Sequence, residues 1–78
     1  MNNIYGFVTI QDNPVQIVAI AASWDIMDIS VIMAKSDFSG YIVAEAPIRG
    51  ERYDNVTFHP NRDKAVQDFT NRAFGPNL

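Results

Sequence analysis

The sequence predicts an α+β fold: a four-stranded antiparallel sheet in meander order, with one C-terminal helix packed on one face. Three observations point to it. Residues 4–46 are dense in β-branched and aromatic residues, the types that suit a pleated, packed surface. Short turn-forming stretches interrupt them, at Asp12-Asn13-Pro14 and at Ser36–Gly40, as hairpin connections do. Only one segment, close to the C-terminus, has a helical apolar stripe bounded by a cap and a stop.

Asn3–Gln11 is the first expected strand, with Ile4, Val8 and Ile10 on one face and Tyr5, Phe7 and Thr9 on the other. Gly6 removes a side chain and marks a bulge or a close neighbour. Val15–Ala22 is the second strand, and its alanines predict close packing against something bulky. Ser23–Lys35 reads two ways. Trp24, Met27 and Val31 fall on one helical stripe, with Ser23 as a possible cap, so a helix over Trp24–Met33 is the alternative. The β-branched residues and the alternation of Met27, Ile29, Val31 and Met33 with Asp28 and Ser30 favour a third strand over Met27–Ala34, after a turn at Ser23–Ile26.

Ser36–Gly40 is then a hairpin loop, and Tyr41–Ala46 is the fourth strand, stopped by Pro47. Ile48–Asn55 is polar and reads as an exposed crossing loop, with Val56-Thr57-Phe58 as a short extended piece. The helix is expected from Pro60 or Asn61, because proline suits a first turn and asparagine a cap. Ala65, Val66, Phe69 and Ala73 form its apolar stripe, with Lys64, Asp68 and Arg72 placed on the wet side. Gly75-Pro76 ends it.

Apolar residues fall at odd and even positions alike in the strand runs, whereas a strand wet on one side should alternate. A helix of about 14 residues, ~21 Å long and ~10 Å across, covers one face of such a sheet and not the other. Two arrangements answer this. Either the 48–58 loop and the Trp24 turn fold over the second face, or that face or an edge strand meets another chain.

The chain of 78 residues is a single small domain, residues 1–78, and it has no cysteine. A chain of this size buries a bit more than ~60% of its extended surface and commonly relies on a disulfide, a metal or a partner. Without cysteine, disulfides and thiolate metal sites are excluded, and a lone histidine builds no histidine-rich zinc site. Association is the support left, with another protein or as a homodimer. No targeting segment or membrane span is read, so a cytoplasmic location is expected. The net charge is −3. Residues 1–46 hold five acids to one base, a net of −4, and residues 47–78 hold five bases to four acids, a net of +1. Neither half has the basic stripe that a nucleic acid backbone calls for.

Catalytic patterns are weak. His59 with Arg49, Arg52, Tyr53 and Glu51 would make a small RNA-acting site only if the loop brought them together. Otherwise His59 sits at the helix N-terminus bonded to backbone. No serine has a glycine elbow, and the glycines at 6, 40, 50 and 75 form no phosphate loop. Asp25 and Asp28 lack the further oxygens a divalent metal needs. No cofactor or metal is expected.

The expected function is therefore a non-enzymatic interaction module, an inhibitor or adaptor that binds a larger protein complex. Small phage-borne anti-defence proteins, anti-CRISPR proteins among them, share this size and charge, which is an analogy and not a sequence resemblance. An RNA-acting enzyme or toxin using His59 with Arg49 and Arg52, and a homo-oligomeric structural protein, are the alternatives. Contact residues are expected among Tyr53, Arg52, Arg49, Tyr5, Phe7 and Trp24, since Trp, Tyr and Arg dominate protein interfaces.

Overall fold

The computed structural model describes residues 7–36, 40–47 and 52–75. Five strands, β1 (Phe7–Ile10), β2 (Asn13–Ala22), β3 (Ile29–Ser36), β4 (Tyr41–Pro47) and β5 (Asp54–His59), precede one helix, α1 (Arg62–Phe74). The strands pair antiparallel in the order β1-β2-β3-β4-β5, a meander. The α+β class, the antiparallel sheet and the C-terminal helix are as expected. The strand count is not: the described residues hold five strands, where four were expected.

The extra strand is β5, which extends the expected Val56–Phe58 piece in both directions. Asp54 and Asn55 disfavour strands, but an edge strand is paired on one side only, so pairing with β4 outweighs propensity. A bulge absorbs them. Val43 pairs with Thr57 and Glu45 with Asp54, so Ala44 faces both Asn55 and Val56. Asn55 takes φ 52 there, a left-handed conformation that asparagine tolerates.

Two other boundaries move. The β1–β2 turn is Gln11-Asp12, both at positive φ (50 and 65), so it turns one residue earlier than the Asp12-Asn13-Pro14 break. Pro14 lies within β2, where it faces Thr9 of β1, while pairing with β3 begins only at Val15. Its missing N–H therefore costs no ladder bond on that side. Strand β3 starts at Ile29 and not at Met27, and no helix forms over Trp24–Met33. The expected strand residues 3–6 lie outside the described residues.

Helix α1 begins as its cap dictates: the Asn61 side chain accepts from the Lys64 N–H at 2.9 Å. It ends where Gly75, at φ 98, donates its N–H to the Asn71 carbonyl at 3.1 Å. The helix lies across β3, β4 and β5. Beneath it Val31, Met33 and Val43 pack with Ala65, Phe69 and Ala73, and Ala19 and Ala21 border the large Phe69 ring's cluster.

The opposite face carries a second core, although Ile20 and Phe58 at its margins stay 44% and 46% exposed. Ile10, Val15, Ile17, Ile32, Ala34, Ile42 and Ala44 form a second buried cluster, with Val8, Tyr53 and Val56 packed against it. Tyr53 and Val56 come from the 48–58 stretch, so that stretch does contribute cover. The Trp24 turn does not. It goes to the C-terminal end of α1, on the helix side of the sheet.

Candidate interaction surface

The residues with chemistry gather in two places. The first is a polar network between α1 and β5. Arg72 Nε donates to Asp68 Oδ1 at 2.9 Å, Nη1 to the Asn55 carbonyl at 2.7 Å and to Glu45 Oε2 at 3.4 Å, and Nη2 to Thr57 Oγ1 at 2.9 Å. These bonds engage four of the five guanidinium N–H donors. His59 Nε2 donates to the other oxygen of Asp68 at 2.8 Å, and Asn55 Nδ2 to Glu45 Oε1 at 2.9 Å. Asp68 and Arg72 thus turn toward the sheet and not into water, while Lys64 is exposed. The four-residue spacing places both on one helix flank, and the β5 bulge aims the Asn55 carbonyl at Arg72.

This network holds helix to sheet. His59 is bonded to a side chain, not to backbone as expected. His59 ends β5 and Arg52 precedes its start, and a strand of that length separates them by about 20 Å. Arg52 is 84% exposed and pairs with Asp54 at 3.5 Å. The described half of the His59–arginine site is therefore not drawn together. Arg49 lies outside the described residues. Among the described residues no group of three or more metal-donor side chains converges.

The second place is the end of the molecule that carries the β2–β3 loop, residues 23–28, and the C-terminus of α1. Loop closure is specific. The Ser23 N–H donates to the Ile29 carbonyl at 2.9 Å, the Ile26 N–H to Ser23 Oγ at 3.2 Å, and the Ser23 hydroxyl to Asp25 Oδ1 at 3.0 Å. Asp28 turns the chain at φ 60. The expected turn at Ser23–Ile26 is thus present, and Ser23, expected as a cap only for the alternative helix, closes the turn through its hydroxyl instead. The Trp24 N–H reaches the Arg72 carbonyl at 3.4 Å. Its ring lies so close to Gly75 that a Cβ there would stand 3.3 Å from Trp24 Cδ2.

Held in this way, Trp24 remains 55% exposed, Met27 88% and Phe74 70%, with Ile26 also exposed. Four large apolar side chains therefore share one end of the molecule. A single exposed apolar residue is ordinary, whereas several gathered at one end of a molecule make a candidate contact site.

The expected contact residues divide accordingly. Trp24 lies in this group. Phe7 is 71% exposed on the edge strand β1, many residues along β2 from the loop. Arg52 is exposed at the start of β5, and Tyr53 is half-buried against the second core cluster. Tyr5 and Arg49 fall outside the described residues. The reading of residues did not single out Ile26, Met27 and Phe74. Met27 falls in the alternation expected for the third strand, which begins only at Ile29. Phe74 lies off the Ala65–Phe69–Ala73 stripe, a signal that the helical period does carry. No family model, curated protein or solved structure matches the chain.

Proposed function

We propose that this chain is a non-enzymatic interaction module, an inhibitor or adaptor that docks on another protein through the 23–28 loop and Phe74. One observation carries this reading: four large apolar side chains are held in water by a hydrogen-bonded loop and a helix end, in a chain whose core is filled elsewhere. Exposed apolar groups on a fixed backbone lose little conformational freedom on binding, so more of their burial goes into affinity. Ile42 and Ala44 at the centre of the second face are fully buried, which favours the rim over the middle of the sheet. His59 carries no second reading here, because the described Arg52 lies about a strand's length away at the other end of β5.

The test places a photo-reactive benzoylphenylalanine at Met27 or, as a control at the opposite end, at Gln11. Cross-linking to one heavier species from position 27 and not from 11 is the expected result. Equal yields from both positions would remove the assignment. RNA cleavage by the wild type that is lost in a folded His59→Ala variant would replace it with the enzymatic alternative.

A further inference from the structure

Resting on the docking surface above, we infer that its partner is a protein segment whose apolar stripe is flanked by lysine and arginine, a basic amphipathic helix. Asp25 and Asp28 alternate with Trp24, Ile26 and Met27, and both are exposed. Neither is in an ion pair among the described residues, where Arg52 contacts Asp54 and Arg72 is held by Asp68 and Glu45. The C-terminus of α1, the negative end of its dipole, lies at the same place. The exposed indole adds a face that attracts cations. Three sources of negative potential thus surround one apolar group.

Whatever buries that group brings two carboxylates against itself. A second copy docked patch to patch would bring four together, and like charges across an interface cost several kcal/mol. An anionic membrane would be repelled for the same reason. A cationic rim neutralises the aspartates, and an apolar stripe covers the side chains between them.

Trp24 is the chain's single tryptophan, so its emission reports on the surface directly. The test titrates the full chain with two tryptophan-free synthetic helices, each with a leucine stripe, one flanked by lysine and the other by glutamate. The lysine peptide is expected to shift Trp24 emission to the blue saturably, and the glutamate peptide to bind at least about tenfold more weakly. The Asp25→Asn/Asp28→Asn double variant should lose about tenfold in affinity for the lysine peptide, and rising salt should weaken that binding.

Equal binding of both peptides, or no effect of the asparagine variants, overturns the basic partner while leaving an apolar docking surface standing. Binding of the lysine peptide that is unchanged in Met27→Ser and Phe74→Ser overturns the docking surface itself. A blue shift on anionic vesicles, or on concentrating the chain alone, in the absence of a response to either peptide, assigns the patch to a membrane or to a second copy and ends the inference.

Discussion

Arg72→Ala should be among the most damaging substitutions on the helix, although Arg72 is not a core residue. The guanidinium makes four hydrogen bonds, two of them to carboxylates, and the side chains of Arg72, Asp68 and Glu45 are each less than a quarter exposed. Removing one member of a buried ion pair costs roughly 3–5 kcal/mol, whereas an exposed pair is worth about 0–1 kcal/mol. Partial burial places this loss at about 2–4 kcal/mol, because Asp68 and Glu45 keep their charges and lose their shared partner. A chain of 78 residues has a total stability of roughly 4–12 kcal/mol, so the melting temperature should fall by on the order of 10–25 °C. Urea unfolding followed by far-UV circular dichroism measures this. Arg72→Lys keeps the charge but not the forked geometry, and should fall between the two. Replacing Arg72, Asp68 and Glu45 together with Met, Leu and Met should recover most of the loss, because no charge is then left unpaired. A loss below about 0.5 kcal/mol for Arg72→Ala, or a triple variant no more stable than the single one, would refute the view that this network clamps helix to sheet.

Ile42→Ala tests whether the face away from the helix is a true core of the isolated chain. Ile42 is fully buried there, so its truncation should cost about 2–5 kcal/mol, close to the cost of Phe69→Ala on the helix face. A cost below about 1 kcal/mol by urea titration would mean that the second face is not packed in solution. Gly40→Ala should leave little folded protein by circular dichroism. A Cβ at Gly40 would stand 2.4 Å from the His59 carbonyl oxygen, a backbone atom, at φ 84. Native-like stability in that variant would contradict the close approach of the Gly40 turn to the end of β5.

Much of the architecture was legible in residue types. The strands over Val15–Ala22 and Tyr41–Ala46 and the Asn61 and Gly75 caps needed only β-propensity and turn chemistry. Strand β5 was not legible, because edge pairing with β4 and the bulge at Asn55 outweigh the polar residues that open it. Nor was the face assignment of β2. Ile17 pairs with Ala34 and Ala19 with Met33, which leaves Val18 as an extra residue. That bulge puts Ile17 and Ile20 on one face and Ala19 and Ala21 on the other, so simple parity fails across it. The ion network was half legible: the spacing of Asp68 and Arg72 was evident, but their partners lie on β4 and β5, far away in sequence. The proposed surface was visible in Trp24 alone. Met27 and Phe74 joined it only once the β2–β3 loop was seen to meet the end of the helix.

The most direct test compares Met27→Ser with Phe7→Ser, two exposed apolar side chains at separate places on the same fold. Both variants should unfold within about 0.5 kcal/mol of the wild type, since neither residue is buried. In a binding assay with the species cross-linked from position 27, Met27→Ser should lower affinity by about tenfold or more, from the lost burial of one apolar side chain, and Phe7→Ser by less than about threefold. The reverse order, with Phe7→Ser the damaging change, would move the contact to the β1 edge and contradict the assignment of the loop end.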